Sequence, residues 1–209
     1  MINVVIDISH HQVNVDFNAL AAAGIVGVIH KATAGTGFVD SRYAERKPKA
    51  LAAGLLWGAY HWGVGDATAA AQAAHFLAIA QPDANTLLAL DYEPNVSGSH
   101  RLGPDMTTQQ ASLFVEAINT AHGRYPLLYT GLAMAGHIPD LPQCPLWWAG
   151  YTNTDAPHGI PATWPTWTLW QYTGDGFGLQ PHTVNGVDGL IDRDKFNGDL
   201  DGLKKLWTP

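Results

Sequence analysis

The 209-residue chain lacks most features of disulfide-rich, nucleic-acid-binding and membrane proteins. Its one cysteine, Cys144, excludes a disulfide within the chain, which fits folding in a reducing compartment. Only 14% of the residues are charged, the net charge is −7, and no long run of Lys and Arg could face nucleic acid. No apolar stretch is long enough to span a membrane. We therefore expect a globular protein with no nucleic-acid partner and no membrane insertion.

The N-terminus also lacks the pattern of a signal peptide. Residues 1–7 contain no basic segment, no long apolar segment and no cleavage site. This sequence predicts a first β-strand instead.

What the chain does contain is a regular alternation of apolar runs and helical patterns. Strands are predicted at residues 4–7, 26–31, 55–62, 87–93 and 127–129, and helices at residues 17–23, 43–53, 67–80 and 107–122. Such alternation predicts an α/β fold with a covered parallel sheet, open or closed into a barrel. After Gly131 the pattern changes to strands at 146–151, 168–172 and 189–192 on helix-poor loops, followed by a helix at 200–207. We find no repeat or linker, and predict a single domain over residues 1–209.

The most informative motif is Asp91-Tyr92-Glu93, which closes the apolar run of residues 86–90. In a strand, residues two apart point the same way, so both acids would emerge side by side. Two like charges beside an apolar wall tend to separate their pKa values, leaving one acid protonated and one ionised. Cleavage of a glycosidic bond needs such a pair. Taken alone, however, an Asp-x-Glu is more often a solvated strand end.

Polar and aromatic side chains are concentrated where the predicted strands end, which is where parallel α/β folds carry their chemistry. Four acids stand at these ends on three strands: Asp7, Asp91, Glu93 and Asp192. Asp7 could instead cap the following turn, and Asp192 could pair with Arg193 or Lys195. We favour a site role for Asp7 and leave Asp192 open at this point.

Other chemistries are less well supported by the sequence. His10 and His11 suggest a metal site with Asp7, but adjacent strand residues point to opposite faces and no second cluster has ligand spacing. Ser9 and Ser41 lack the G-x-S-x-G context of a serine hydrolase. We therefore expect no metal and no cofactor.

Tryptophan is abundant, with eight residues in all, of which five lie between positions 147 and 170. Aromatic rings stack on the apolar faces of sugars, so such a cluster favours a carbohydrate cleft. The alternative is that these rings fill the helix-poor side of the sheet.

Together, these segments resemble glycoside hydrolase family 25, the Chalaropsis-type lysozymes or N-acetylmuramidases. The matching segments run in family order: Val5-Ile6-Asp7-Ile8-Ser9 with Gln12; Gly27-Val28-Ile29-His30-Lys31-Ala32-Thr33 with Gly35; Ala53-Gly54-Leu55 continuing to Gly58-Ala59-Tyr60-His61; Leu90-Asp91-Tyr92-Glu93; Pro126-Leu127-Leu128-Tyr129-Thr130; Leu146-Trp147-Trp148-Ala149-Gly150-Tyr151; Leu169-Trp170-Gln171-Tyr172; and Ile191-Asp192 with Asp194 and Phe196. Each is weak alone, and the ordered series is specific.

The resemblance implies a flattened TIM-like (β/α)5(β)3 barrel that hydrolyses the β-1,4 bond between N-acetylmuramic acid and N-acetylglucosamine in peptidoglycan. It implies that Glu93 is the general acid and that Asp91 orients or stabilises the 2-acetamido group. Asp7 and Asp192 fall on the other two acidic positions of the cleft. We expect a raised pKa for Glu93 and an ionised Asp91, helped by a donor such as Tyr60 or Lys31.

Eight side chains are expected to contact the glycan strand: Tyr60, Lys31, Tyr129, Trp148, Tyr151, Trp170, Gln171 and Trp62. Two positions depart from the family pattern, since Ala34 replaces a usual Glu and Trp62 a usual Phe. Neither position carries a catalytic acid, so we expect these departures to affect substrate binding rather than catalysis.

Two alternatives differ in function: a chitinase-like glycosidase, and a catalytically silent barrel that only binds cell wall. The expected partner is peptidoglycan, and the expected state is a monomer. A wall substrate without a signal peptide suggests either a phage endolysin or an effector delivered by a secretion machine.

Overall fold

The computed structural model describes residues 1–95 and 103–208, which form a closed β-barrel surrounded by helices. The eight barrel strands are β1 (Ile2–Ile8), β2 (Gly27–Ala34), β4 (Leu56–Trp62), β5 (Leu87–Asp91), β6 (Leu127–Gly131), β7 (Leu146–Ala149), β8 (Leu169–Gly174) and β10 (Asp192–Phe196). Two short strands, β3 (Phe38–Val39) and β9 (Phe177–Gly178), form hairpins with β2 and β8.

The strand order explains how the barrel closes. Neighbouring strands follow the order β1-β10-β8-β7-β6-β5-β4-β2, and β2 pairs with β1 to complete the ring. The neighbouring barrel strands pair in parallel from β1 through β2, β4, β5, β6 and β7 to β8, whereas β10 runs antiparallel to both β8 and β1. This arrangement confirms the predicted α/β barrel.

Helices cover the first part of the barrel, where the sequence predicted them. They are α1 (Phe17–Ala22), α2 (Tyr43–Ala52), α3 (Ala69–Ala80), α4 (Thr108–His122) and α5 (Leu200–Trp207), and a short 3₁₀ turn (Leu132–Met134) follows β6. The hydroxyl of Thr107 accepts a hydrogen bond from the Gln110 amide, and the Gln110 side chain accepts one from the Thr107 amide. This capping box fixes the start of α4. Within the described ranges, none of the helices has both the length and the apolarity that a membrane span requires.

Two predicted strand boundaries are wrong. The strand predicted at 87–93 ends at Asp91, so Glu93 lies in the loop that follows. The last strand begins at Asp192 rather than ending there, because Gly189 has a positive φ of 86° that interrupts an extended chain. All five of its residues pair with β1, and the last four also pair with β8.

Strand alternation divides the core into two layers. Inside the barrel lie Val5, Ile29, Leu87, Ala89, Leu127, Tyr129, Trp147, Leu169 and Phe196. Their strand neighbours, such as Ile6, Val28 and Leu88, face outward and pack with apolar helix residues. The interior is therefore apolar where the strands begin, and polar side chains replace the apolar ones where the parallel strands end.

Helix α5 packs against the end of the barrel where the parallel strands begin. Leu203 and Trp207 are fully buried in the same cluster as the interior strand residues. A β-carbon at Gly27, the first residue of β2, would lie only 3.1 Å from the Trp207 ring. Arg124 donates hydrogen bonds to the carbonyls of Leu206 and Trp207.

This packing predicts that Trp207→Ala lowers the free energy of unfolding by about 3–5 kcal/mol, because it leaves a cavity in the interior core. Leu200→Ala is the control on the same helix, since Leu200 is 41% exposed, and it should change stability by no more than about 0.5 kcal/mol. Urea unfolding followed by circular dichroism measures both. Equal losses for the two variants would contradict the role given to Trp207.

Candidate active site

The cleft lies where the parallel strands end, and the antiparallel strand β10 completes it. Because β10 runs the opposite way, its first residue, Asp192, stands in register with Asp7 near the end of β1. Asp91 ends β5, and Glu93 follows two residues later. All four predicted acids line one cleft with a volume of about 740 Å³.

Six of the eight predicted glycan contacts also line this cleft: Lys31, Tyr60, Trp62, Tyr129, Tyr151 and Gln171. Their position is a structural finding, and their contact with substrate stays a prediction.

The other two predicted contacts, Trp148 and Trp170, are wrong. Both side chains are 0% exposed and belong to the outer layer of the core. Their indole N–H groups donate to backbone carbonyls, Trp148 to His158 at 3.1 Å and Trp170 to Gly150 at 2.8 Å. The two residues are register partners, so they face the same, outward side.

Trp147, the strand neighbour of Trp148, lies in the cleft where Trp148 was predicted to lie. Trp147 pairs in register with Tyr129, and both side chains line the cleft. Tyr129 lies on the neighbouring strand, so the pairing across strands, and not alternation within one strand, identifies Trp147 as the inward residue.

Several cleft residues carried no role in the sequence analysis. The loop after β1 contributes Ser9, His11 and Gln12, and the tip of the β8–β9 hairpin contributes Asp175. The backbone N–H of Asp175 donates to Asp192 at 3.4 Å. No strand pattern marks Asp175, because it sits in a turn with a φ of 50°.

Burial dominates the electrostatics of Glu93. It raises the pKa of the Glu93 carboxyl to about 7, the positive charge of Lys31 lowers it, and the charges of Asp192 and Asp175 raise it. The direction agrees with the expected proton donor.

Asp91 differs from the expectation. It is 4% exposed, and burial, followed by the charge of Glu93, raises its pKa well above the ordinary value, while Lys31 lowers it. Asp91 Oδ1 has no hydrogen-bond partner in the described part of the chain, and neither Tyr60 nor Lys31 donates to this carboxylate. The environment therefore raises both pKa values of the pair, and the opposing influence is the charge of Lys31.

Lys31 is held by aromatic rings. Its ammonium lies 4.2 Å from the centroid of the Trp62 ring, 5.6 Å from that of Phe38 and 5.9 Å from that of Tyr60. Burial lowers the Lys31 pKa, while the charges of Asp91 and Glu93 raise it. Cation–π contacts of this kind are strongest when the cation is desolvated. Trp62, one of the two departures from the family pattern, thus contacts the cation nearest the acid pair.

A hydrogen-bonded chain orders the opposite wall of the cleft. The hydroxyls of Tyr129 and Tyr151 both donate to Gln171 Oε1, at 2.8 and 2.7 Å, and Gln171 Nε2 donates to Asp7 Oδ2 at 2.8 Å. Burial, followed by the charges of Asp194 and Asp192, raises the pKa of Asp7. For Asp192, burial and then the charge of Asp175 raise the pKa to about 6.

The absence of a metal and of a cofactor stays a prediction. Across the described ranges, no group of three or more His, Cys, Asp or Glu side chains is arranged to hold a metal ion. His10, one of the residues considered for such a site, contacts Asp40 through Nδ1 at 2.9 Å.

Comparison with known proteins identifies the family to which this barrel and cleft belong. Residues 6–178 match the sequence family described as "Glycosyl hydrolases family 25". The chain belongs to glycosyl hydrolase family 25. Within that family it is similar to lysozyme M1 of Streptomyces globisporus, with 32% identity over 96% of this chain and 70% of the relative. It is also similar to an N,O-diacetylmuramidase of Chalaropsis sp, with 31% identity over 97% of each.

Solved structures confirm the fold of this family 25 glycoside hydrolase. A bacterial lysozyme from Streptomyces coelicolor superposes with a TM-score of 0.83 at 31% identity, covering 97% of this chain and 95% of that one. A family GH25 lysozyme from Aspergillus fumigatus gives a TM-score of 0.81 at 32% identity, covering all of both chains.

The position of Lys31 predicts that Lys31→Met raises the pKa of Glu93 above its value of about 7, because the positive charge that favours the ionised form is lost. The chain has only three glutamates, Glu45, Glu93 and Glu116, so ¹³C-carboxyl labelling of glutamate gives three signals to titrate by NMR.

Lys205→Met is the matched control, since Lys205 is exposed on α5, and it should leave the Glu93 titration unchanged. An unchanged Glu93 midpoint in Lys31→Met would show that Lys31 does not govern this acid.

Proposed function

We propose that this family 25 enzyme is a lysozyme-type muramidase, which hydrolyses the β-1,4 bond between N-acetylmuramic acid and N-acetylglucosamine in peptidoglycan. The observation that carries the proposal is a partly buried Glu93 with a pKa of about 7, next to Asp91 in a cleft lined by tyrosine and tryptophan. The similarity to a lysozyme and to an N,O-diacetylmuramidase supports the same activity.

Glu93 acts as the general acid. A carboxyl with a pKa near neutrality keeps its proton in a large fraction of molecules and still transfers it readily, which is the property that a leaving glycosidic oxygen requires. The acid form of Glu93 is lost as the pH rises through about 7. The value of kcat/KM, which reports on the free enzyme, should therefore fall in that range.

Asp91 acts as the carboxylate that orients or stabilises the 2-acetamido group of the substrate. In the free enzyme its pKa is raised, so its anionic form depends on positive charge nearby. Lys31 supplies one such charge, and the positive charge that develops on the sugar during bond cleavage supplies a second. The anion is then favoured most when the reaction needs it, which is transition-state stabilisation rather than tight ground-state binding.

The walls of the cleft suit a glycan strand. Tyr60, Trp62, Tyr129, Trp147 and Tyr151 supply aromatic surface along it, and Gln171 and Asp192 supply polar groups for sugar hydroxyls and amides. The partner is peptidoglycan, and the enzyme acts on it as a monomer. Action on the cell wall is compatible with either an endolysin or a secreted effector. The first is supported by the similarity to the CTP1L endolysin, with 26% identity, a TM-score of 0.77, and coverage of 99% of this chain and 69% of that one.

The assignment of the general acid predicts that Glu93→Gln lowers the rate of peptidoglycan solubilisation on the order of 10²–10⁴-fold, because the proton donor is lost while the shape is kept. Release of reducing ends from purified peptidoglycan measures the rate, and circular dichroism checks the fold. Glu116→Gln, an exposed position on α4, is the matched control and should retain full activity. A fully active Glu93→Gln enzyme would exclude Glu93 as the acid.

Mass spectrometry of the digest identifies the bond, because a muramidase leaves N-acetylmuramic acid at the new reducing end. Chitin oligomers digested in parallel test the chitinase-like alternative. Sedimentation with peptidoglycan without release of reducing ends would instead support a silent wall-binding barrel. That alternative gives no reason to bury four acids in one cleft, where each carboxylate is costly to desolvate.

A further inference from the structure

Another acid, Asp194, lies buried beside the cleft and has no role in the mechanism above. It is two residues after Asp192 on β10 and is 0% exposed, so it is out of reach of a substrate. Trp147 Nε1 donates to Asp194 Oδ1 at 2.6 Å. The other oxygen, Oδ2, receives no hydrogen bond from an N–H or O–H group anywhere in residues 1–95 and 103–208.

Asp7 is the neighbour that can supply the missing hydrogen bond. Asp7 and Asp194 lie on adjacent antiparallel strands, where Asp7 pairs with Asp192 and Asp194 pairs with Val5, and their side chains can hydrogen-bond to each other when one of them carries a proton. Asp7 Oδ2 is already occupied by Gln171 Nε2, and the two tyrosine hydroxyls on Gln171 Oε1 fix the orientation of that amide. The second oxygen of Asp7 is therefore the one available for Asp194.

The other charged and titratable groups around the pair do not neutralise it. The pair is faced by four groups, none of which is a cation: Asp192 on β10 and the hydroxyls of Tyr60 on β4, Tyr129 on β6 and Tyr151 in the loop after β7. Of the two cations on β10, Arg193 donates to the carbonyl of Thr183, and Lys195 lies over the outward rings of Trp170 and Tyr172.

Two ionised carboxylates in contact in such a place would each lack a counter-charge. Burial removes the water that would solvate them, and their mutual repulsion adds to the cost, so one proton is retained by the pair. Burial raises the pKa of both acids, Asp194 to about 8.

The partners of each acid indicate which one carries the proton. Asp194 Oδ1 accepts the indole N–H of Trp147 and Asp194 Oδ2 lacks a donor in the described part of the chain, so both oxygens of Asp194 are suited to accept hydrogen bonds. The nearby charge of Arg193 also favours the ionised form of Asp194. A proton on Asp7 that points to Asp194 Oδ2 completes the hydrogen bonding of both side chains.

We propose that Asp7 and Asp194 share one proton, which Asp7 carries and donates to Asp194, and that Asp194 is a positioning residue that keeps Asp7 neutral in the free enzyme. The cleft then holds a neutral hydrogen-bonding group at Asp7 rather than a further anion beside Asp91 and Asp192. Its consequence for hydrolysis rests on the proposed function: Asp7 binds and orients the substrate, and the developing positive charge is left to the remaining carboxylates.

The test is a pH titration of the Asp7 carboxyl by NMR with ¹³C-labelled aspartate, the Asp7 signal being assigned by its loss in Asp7→Asn. In the unmodified protein, Asp7 should still be protonated at pH values where an ordinary aspartate, with a pKa of about 3.9, is ionised. In Asp194→Asn, its midpoint should fall towards that ordinary value, because the repulsion is gone and the new amide can donate to an ionised Asp7.

Asp201→Asn is the control, since Asp201 is exposed in the first turn of α5, and it should leave the Asp7 titration unchanged. An Asp7 midpoint near the ordinary value in the unmodified protein would overturn the proposal, even if Asp194→Asn fails to fold. An unchanged midpoint in a folded Asp194→Asn variant would overturn it as well.

This titration uses no substrate, so its outcome is separate from the proposed function. If the Asp7 pKa is raised but the protein does not cleave peptidoglycan, the muramidase assignment is excluded and the shared proton is still supported. If the protein cleaves peptidoglycan as a muramidase but Asp7 has an ordinary pKa, only the role proposed for Asp194 is excluded.

Discussion

The site depends on the antiparallel pairing of β10 with β1. This pairing joins the last barrel strand to the first, and it places the beginning of one strand at the end of the other. Asp192 therefore stands opposite Asp7, although the two residues are far apart in the chain. A parallel last strand would have carried Asp192 and Asp194 to the opposite end of the barrel, away from Glu93.

Closure of the barrel also determines how the acids behave. Side chains at the cleft are bounded by a packed apolar interior, so charges there are poorly solvated and influence one another strongly. Only 14% of the chain is charged, yet six acids (Asp7, Asp91, Glu93, Asp175, Asp192 and Asp194) and one lysine meet in this small region. Lys31, held over Trp62, is the positive charge that acts on both Asp91 and Glu93. The aromatic residues thus position a charge in addition to forming the walls.

The sequence predicted the barrel and most of the cleft because strand ends are marked by local patterns. Asp7 and Asp91 follow apolar runs, and such runs are recognisable without tertiary information. Whether a side chain points into the barrel cannot be recognised in this way, because it depends on which residues pair across strands. Trp148 was chosen over Trp147 for that reason, and only the pairing of Tyr129 with Trp147 resolves the choice. Asp194 was noted only as part of the family match and was given no role, because the last strand was placed three residues too early. With β10 at its true position, the i, i+2 rule that singled out Asp91 and Glu93 would also have paired Asp192 with Asp194.

The central claim is that Glu93 delivers a proton to a glycosidic oxygen held in the cleft between Lys31 and Asp192. A crystal structure of the Glu93→Gln enzyme with a bound peptidoglycan fragment tests it most directly. The account predicts the scissile oxygen within about 2.6–3.2 Å of the side chain at position 93, with the 2-acetamido group of the sugar against Asp91. A fragment bound with its scissile oxygen beyond the reach of position 93, directly or through one water, would contradict the account.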